Sequence, residues 1–321
     1  MPDRVVLLIS NSHDFATDYV VAELRARGVR HLRLDTDLLP EDSVSLDPIT
    51  PTLDARTPQG TFRLTPEDVS GVLFRAPTHL SESGGERDAP EERLRRHQWA
   101  AFTRALTVFE EPIWVNHPVP TFRAESKPYQ LRVAAKLGWD VLPTVVTNDV
   151  PPAERPLEDA LLVVKALDTF FIRISGQDAF FYTREVTRSD LSRHSLAEMP
   201  VILQRRAADK LDLRVTVVGD GCLAASIVVE DAGVAGDWRL QKDTVEYRTY
   251  DLPTAVEAKC VELVYSLGLT FGALDLVYSN GRYYFLEVNP TGEWAWLTES
   301  LGFPIPKLLA DALVGDKDRR A

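Results

Sequence analysis

A predicted β-hairpin near the end of the sequence constrains this chain more than any other feature. Two strand-like segments, GALDLVY and YYFLEVN, flank an Asn-Gly pair at 280–281. Asn-Gly between alternating hydrophobic residues is a strong signal for a tight turn between antiparallel strands. Glu287 and Asn289 are two residues apart and point to the same face, where Asp275 of the other strand can join them.

The oxygen-bearing side chains of this hairpin indicate a metal site. Two carboxylates brought to one point repel each other unless a hard cation lies between them. Mg²⁺ prefers oxygen ligands, keeps several waters and is often shared with phosphates. A hairpin with a solvated polar outer face explains the same spacing, and spacing alone favours neither interpretation.

Length, charge and cysteine content exclude several classes of protein. The 321 residues are 45% hydrophobic and 26% charged, which suits two or three globular domains. The net charge of −12 disfavours nucleic acids and anionic membranes as partners, and no apolar run reaches the ~20 residues of a membrane-spanning helix. Cys222 and Cys260 are too few for a disulfide framework and indicate a reducing cytoplasm.

Hydrophobic periodicity and turn residues divide the sequence into three predicted units. An open α/β domain at 1–120 is followed by a small α+β module at 121–202 and a strand-rich domain at 203–321, which contains the hairpin. Two prolines and a polar turn in WVNHPVP mark the first boundary. The predicted fold class is therefore α/β with an α+β middle module.

The first unit opens with a β-α pattern. A buried strand at 4–10 precedes a helix at 14–27. The predicted apolar stripe of that helix is Phe15, Val20, Val21 and Leu24. Other predicted elements are strands at 31–37, 72–75, 161–167 and 179–186, a polar surface loop at 81–93, and helices at 93–109, 127–137 and 254–267.

Five further side chains have the chemistry of a phosphate or nucleotide site. Asp212 and Arg214 lie two apart on a predicted strand, where a carboxylate suits sugar hydroxyls and a guanidinium binds phosphate oxygens. Lys165 ends an apolar strand and Lys127 begins a helix, so both ammonium groups can meet an anion. Arg239 can stabilise charge on a transferring phosphoryl group. Taken singly, each is better explained by a solvated surface position or a surface ion pair.

Taken together, two lysines, two arginines and three oxygen ligands in an acidic chain indicate a nucleoside triphosphate site. No GxxxxGK[ST] or GxGxxG loop competes for the nucleotide. The six histidines lack HExxH or paired-ligand spacing. Both cysteines lie in apolar patterns typical of small buried hydrophobic residues, so a cysteine nucleophile has no support.

The order in which these candidate residues follow one another along the chain resembles that of the ATP-grasp superfamily, and the resemblance covers residues 121–305. The resemblance looks closest to graspetide synthetases, the microviridin-type maturases of ribosomal peptides, through VLFRAP, DWR, YDLP, LGLTFGALDL and FLEVNPTGEWAWL. It implies a three-part ATP-grasp architecture in which 1–120 precedes a lid module and a carboxyl-terminal domain. The loop after Lys165 departs from the pattern, since Gly176 is its single glycine where many members have a glycine-rich flap.

The resemblance also implies ATP and Mg²⁺ as cofactors and a role for each candidate residue. The implied set is phosphate-binding Lys127 and Lys165, adenine-hinge Gln204 and Arg205, ribose-binding Asp212, catalytic Arg214 and Arg239, and the Mg²⁺ ligands Asp275, Glu287 and Asn289.

The implied activity is ATP-dependent macrocyclisation of a ribosomal precursor peptide that has a leader and a core. Its Asp or Glu side chains would be activated as acyl phosphates and joined to Thr or Ser as esters, or to Lys as amides. A ligase that adds a free amino acid to a peptide or small acid remains an alternative, as does a non-catalytic ATP-binding regulator. A cytoplasmic homodimer is expected, with neither nucleic acid nor membrane as a partner.

Overall fold

The computed structural model describes residues 4–75, 90–150, 157, 161–167, 171–174, 177–180, 183–192, 196–229, 232–234 and 244–315. Within these residues the helices are α1 Phe15–Ala26, α2 Pro90–Ala105, α3 Pro118–Ala124, α4 Lys127–Lys136, α5 Thr254–Ser266, α6 Ala295–Leu301 and α7 Ile305–Val314. None of these described helices combines the length and the apolar composition needed to span a lipid bilayer.

The strands of the same residues form several sheets, and the α/β class is confirmed. In chain order they are β1 Val5–Ser10, β2 His31–Asp35, β3 Ser43–Asp47, β4 Thr52–Thr57, β5 Gly60–Leu64, β6 Val69–Phe74, β7 Ile113–Val115, β8 Asp140–Val141, β9 Thr144–Thr147, β10 Leu162–Lys165, β11 Phe171–Ile174, β12 Gln177–Phe180, β13 Arg184–Val186, β14 Val201–Arg205, β15 Leu211–Val218, β16 Gly221–Val229, β17 Ala232–Gly233, β18 Glu246–Thr249, β19 Phe271–Ser279 and β20 Arg282–Asn289.

The first sheet is parallel and has the order β2-β1-β6-β7. Its strand β1 is buried along its whole length, as expected for a central strand covered on both faces. The predicted strands at 4–10, 31–37 and 72–75 correspond to β1, to β2 and to the end of β6.

Helix α1 confirms the predicted helix at 14–27 but not its whole apolar stripe. Val20, Val21 and Leu24 are buried, whereas Phe15 is 71% exposed, so that part of the prediction was wrong. The buried line of the helix passes through Ala16, Val20 and Leu24 at intervals of four residues. Phe15 precedes this line by one residue and is therefore rotated about 100° away from the core.

Two further segments differ from the prediction. The antiparallel sheet β3-β4-β5 was not predicted, because β3 alternates between exposed and half-buried residues and has no strong apolar pattern. Helix α2 begins at Pro90, so the end of the predicted loop at 81–93 is helical, and 81–89 lie outside the described residues. Proline in the first turn, followed by Glu91 and Glu92, favours a helix start at this point.

The second sheet is antiparallel, with the order β13-β10-β14-β9, and the hairpin β11-β12 follows β10 in the chain. Strand β10 confirms the predicted strand at 161–167, and β12 and β13 divide the one predicted at 179–186. This sheet has a small core of its own around Leu162 and Leu203.

The third sheet has the order β17-β16-β15-β19-β20-β8, and β18 also pairs with β16. The predicted hairpin is its centre: β19 and β20 are joined by Asn280 and Gly281, both with positive φ as a tight hairpin turn requires. One face packs against α5, where Leu213, Leu274 and Val288 are buried. Strand β8 pairs with β20 although it precedes residue 202, and the domain boundaries at 120 and 202 stay a prediction.

A shared hydrophobic core joins the first and third sheets. It contains Leu8 of β1, Leu24 of α1, Phe271 of β19 and Leu313 of α7. Helix α7 approaches the first sheet so closely that a Cβ on Gly71 would lie 2.3 Å from the Leu313 carbonyl oxygen. Any residue larger than glycine at position 71 would therefore clash with the backbone of α7.

Candidate active site

A row of charged side chains crosses the third sheet on the face opposite α5. The register places Arg214 of β15 opposite Asp275 of β19, and Asp275 opposite Glu287 of β20. Residues opposite each other on adjacent strands point to the same face, so these three side chains are neighbours. Arg214 and Asp275 are buried, and Arg214 Nη1 donates to Asp275 Oδ1 at 2.8 Å.

Lys127 and Asn289 extend this charged row. Asn289 lies two residues beyond Glu287 in β20 and faces the same way. Lys127 is the first residue of α4, and its Nζ lies 3.9 Å from Glu287 Oε2. Five of the predicted site residues are therefore brought together: Lys127, Arg214, Asp275, Glu287 and Asn289.

Apolar side chains border the charged row on both sides. One cluster consists of Leu142, Ala207, Val277, Tyr284 and Leu286. Its member Val277 is the register partner of Asp212. On the other side, Ala273 belongs to the core shared by the first and third sheets. Apolar walls of this kind lower the local dielectric constant and strengthen electrostatic interactions with the charges between them.

Asp212 lies at the border between the charged row and the apolar cluster. It is buried, two residues from Arg214 on the same face of β15. Its Oδ2 accepts a hydrogen bond from Lys210 Nζ, a residue that was not predicted.

Lys165 and Gln204 form a second polar group, on the second sheet. Lys165 Nζ donates to Gln204 Oε1 at 2.9 Å, and Gln204 Nε2 donates to Thr144 Oγ1 at 2.9 Å. Gln204 is buried, whereas its neighbour Arg205 is exposed, and the Arg205 N–H donates to the Pro143 carbonyl. Adjacent strand residues point to opposite faces, so Gln204 and Arg205 do not share a surface of this sheet.

Two features named from the sequence cannot be placed. Arg239 lies outside the described residues, and so does Gly176 in the loop after Lys165. Their roles stay predictions.

The donor set of this face fits a divalent cation together with phosphate. Asp275, Glu287 and Asn289 offer the oxygen ligands that Mg²⁺ prefers. Arg214 Nε is buried and has no hydrogen-bond partner among the described residues, so this donor is unused. In the part of the chain that the structure describes, no group of three or more histidine, cysteine, aspartate or glutamate side chains is arranged to hold a metal ion.

Solved structures resemble this chain over nearly its whole length. The macrocyclase MdnC from Microcystis aeruginosa MRC, bound with the precursor peptide MdnA, matches 97% of this chain and 99% of its own chain, with 26% identity and a TM-score of 0.82. A RiPP-associated ATP-grasp ligase from Chryseobacterium gregarium, in complex with ADP and a leader and core peptide, has 26% identity and a TM-score of 0.81 over 97% of this chain and 96% of that one.

This chain is an ATP-grasp ligase that resembles graspetide synthetases. The resemblance read from the motifs is thereby confirmed. The ATP-grasp ligase PsnB, complexed with a minimal precursor, Mg and ADP, has the same fold at 22% identity and a TM-score of 0.72, over 96% of both chains. No protein-family model and no curated protein matches the sequence.

Sequence reasoning missed Arg75, which forms a buried ion pair with Asp14 and also contacts the turn that follows β20. Arg75, at the end of β6, donates from Nε to Asp14 Oδ2 at 2.9 Å. Its other nitrogens reach the Gly292 carbonyl and Glu293 Oε2, both at 3.3 Å. Arg214 Nη2 donates to the Glu293 carbonyl at 3.0 Å, so two arginines hold one turn beside Asn289. The motif VLFRAP contains Arg75 and was the only signal for it.

Asp14 is held in its charged form. Burial raises the pKa of its carboxyl group, but the charge and hydrogen bonds of Arg75 outweigh burial, with help from Ser10 and Thr17. The net pKa lies below the ordinary range for aspartate. Asp14 also caps α1 by accepting from the Thr17 N–H, so one carboxylate serves a helix end and an ion pair.

The two cysteines behave as interior residues. Cys260 is buried and Cys222 half-buried, and neither forms a disulfide. The hydrogen bond with Cys222, followed by burial, raises the pKa of the Cys260 thiol. A thiol kept protonated in this way is a poor nucleophile.

Proposed function

We propose that this chain is an ATP-dependent macrocyclase that joins side chains within one ribosomal precursor peptide. The observation that carries the proposal is its similarity to MdnC, a macrocyclase bound with its precursor peptide, over 97% of this chain. The ligase from C. gregarium, in complex with a leader and core peptide, supports the same type of substrate.

In the proposed site, ATP lies along the polar face of the third sheet. The apolar cluster around Val277 suits the adenine ring, and Asp212 beside it would accept hydrogen bonds from the ribose. Lys127 and Lys165 would bind the phosphates, while the side chain of Gln204 and the backbone of Arg205 would line the hinge.

Asp275, Glu287 and Asn289 would hold Mg²⁺, and the ion would neutralise the negative charge of the phosphates. Glu287→Gln and Asn289→Ala should therefore weaken Mn²⁺ binding in the presence of ADP, measured by electron paramagnetic resonance. Unchanged Mn²⁺ binding by both variants would remove them from the ligand set.

The proposed reaction has two steps. A carboxylate oxygen of the peptide attacks the γ-phosphorus of ATP, the bond to the bridging oxygen breaks, and ADP leaves. A hydroxyl or amine of the same peptide then attacks the acyl carbonyl and loses its proton as phosphate leaves. The peptide therefore loses the elements of one water for each ring formed. Arg214 and Arg239 stabilise the negative charge of the transferring group, and the apolar walls exclude water from the activated acyl group.

The decisive test is intact-mass analysis of a precursor peptide after reaction. A candidate precursor peptide with a leader and a core, incubated with the protein and MgATP, should lose one water mass for each ring. Glu287→Gln, outside the buried Arg214–Asp275 pair, is the control and should give unmodified peptide. A product that gains amino-acid mass and never loses water would replace this proposal with the free-amino-acid ligase.

Leader dependence gives a second, independent test. A bound leader raises the effective concentration of the core beside the acyl phosphate and favours attack within one peptide. Removal of the leader should slow cyclisation and leave ADP binding unchanged. Equal rates with and without the leader would exclude leader-guided delivery.

We also propose that the protein works as a cytoplasmic homodimer. Light scattering of the purified protein tests the dimer, and fractionation of the producing cell tests the location. A monomer at micromolar concentration, or recovery outside the cytoplasm, would contradict the respective part.

A further inference from the structure

On the edge of β20 that faces away from β19, a side chain and not a neighbouring strand forms hydrogen bonds with the backbone of Val288. Gln130 of α4 donates from Nε2 to the Val288 carbonyl at 2.7 Å, and its Oε1 accepts from the Val288 N–H at 2.9 Å. Gln130 is 1% exposed. Its amide therefore makes the same two hydrogen bonds that an adjacent strand would make.

The contact is needed because β8, the next strand of the sheet, does not extend as far as Val288. Strand β8 covers the outer edge of β20 only at Tyr284 and Phe285. Past that point, Val288 would have a buried N–H and carbonyl on an open edge, which is costly unless both are paired. Gln130 satisfies both groups, and its Nε2 also donates to the Ala124 carbonyl.

A second buried amide holds the end of the same strand. Asn116, which is 2% exposed, donates from Nδ2 to the carbonyls of Pro290 and Phe271, both at 2.8 Å. Its Oδ1 accepts from the N–H groups of Thr270 and Phe271, also at 2.8 Å. The residue after Asn289 is thus tied to the first residue of β19.

We propose that Gln130 and Asn116 are positioning residues for the metal ligands Glu287 and Asn289; this rests on the proposed function. Val288 separates the two ligands and points into the opposite core, so fixing its backbone fixes the directions of both. Mg²⁺ demands nearly ideal octahedral geometry at 2.0–2.1 Å, so a small rotation of β20 removes affinity. Outer-shell partners of this kind change metal affinity about 10- to 100-fold when substituted.

The chain offers a matched control. Gln59 makes the same bidentate contact with the backbone of Arg33, accepting from its N–H at 3.1 Å and donating to its carbonyl at 2.9 Å. That contact lies at the edge strand β2 of the first sheet. Gln59 is exposed, so Gln59→Met removes a pair of hydrogen bonds with the same donors and acceptors at the surface, away from the metal strand.

The experiment compares Gln130→Met with Gln59→Met and uses Mn²⁺ with ADP as the probe. We expect Gln130→Met to weaken Mn²⁺ binding at least 10-fold, to leave metal-free ADP binding within twofold, and to speed hydrogen exchange in the peptide that contains Val288. Gln59→Met should match the wild type in all three. If Gln130→Met does not fold, Gln130→Glu keeps the volume and one acceptor, and the same weakening of Mn²⁺ binding is expected.

The experiment distinguishes failure of the positioning role from failure of the proposed metal site. Mn²⁺ affinity within twofold of wild type in a folded Gln130 variant overturns the positioning role and leaves the proposed function intact. A wild-type protein that binds no Mn²⁺ with ADP overturns the metal site itself and, with it, this inference.

Discussion

Arg214 Nη1 lies 2.8 Å from Asp275 Oδ1, so the proposed phosphate-binding arginine and a proposed metal ligand form one buried ion pair. Arg214 is also fixed by its bond to the Glu293 carbonyl. Removing either charge of a buried pair leaves the other uncompensated. Substitutions here must therefore keep charge if they are to report on catalysis.

Arg214→Lys should lower kcat about 100- to 1000-fold with little change in the KM for ATP, because lysine keeps the charge but loses the planar fork. Single-turnover kinetics with ATP and the peptide measure this. Arg63→Lys is the control, since Arg63 pairs with Asp54 on the exposed surface at 3.3 Å. A normal kcat for Arg214→Lys would show that this arginine does not act in the reaction.

Asp212→Asn should raise the KM for ATP about 10-fold, because a charge-assisted hydrogen bond to the ribose is lost. The wild type should also discriminate against 2′-deoxy-ATP or 3′-deoxy-ATP, and the variant should not. Lys210→Met separates the ribose role from the ion pair, since it removes only the partner of Asp212. If Asp212→Asn and Lys210→Met lose sugar discrimination equally, the effect belongs to the Lys210–Asp212 ion pair and not to a hydrogen bond with the ribose.

Asp14→Asn should lower the free energy of unfolding at pH 7 by about 3 kcal/mol, the scale for breaking a buried ion pair. Arg75 holds the pKa of Asp14 below its ordinary value of about 3.9. The ionised form therefore contributes stability above that value, and the contribution is lost as pH falls through the folded-state pKa. Urea unfolding should show the variant and wild type converging below about pH 4, whereas a pH-independent difference would contradict the argument. Asp54→Asn, on the exposed surface, is the control.

Gly292→Ala should lower turnover about 100-fold, the scale of a misplacement near 1 Å. A Cβ at this position would lie 2.6 Å from Ala273 Cβ and 3.0 Å from Arg214 Nη2. Gly138→Ala is the control, because its positive φ strains the backbone while its Cβ meets no atom within 4 Å. Steady-state kinetics and thermal unfolding of both variants separate a site effect from a loss of stability.

The site residues on the third sheet could be predicted because they follow local rules. Strand alternation put Glu287 and Asn289 on one face, and the Asn-Gly turn fixed the register as far as the Leu276–Phe285 pair. The place of Asp275 opposite Glu287 could not be predicted in this way, because it depends on a shift of register between Asp275 and Leu276. The ends of α4 and α5 followed from periodicity and from glycine after the last turn.

The residues that were missed depend on contacts between distant segments. Nothing near Arg75 in the sequence shows that Glu293 lies beside it, and nothing near Gln130 shows that it pairs with Val288. Lys210 was missed for a different reason, since a lysine beside a strand is usually solvated. The exposure of Phe15 followed from a one-residue offset that periodicity does not resolve at the start of a helix.

Because α7 packs closely on the first sheet, part of that sheet is covered only late in synthesis on the ribosome. Strand β6 is made early, but the backbone of Leu313, in the last of the described helices, covers it at Gly71. Until that helix leaves the exit tunnel, the part of the face beneath α7 is uncovered, and such transiently exposed apolar surface is what chaperones bind. The core shared by the first and third sheets therefore closes last, although its first strands are translated early.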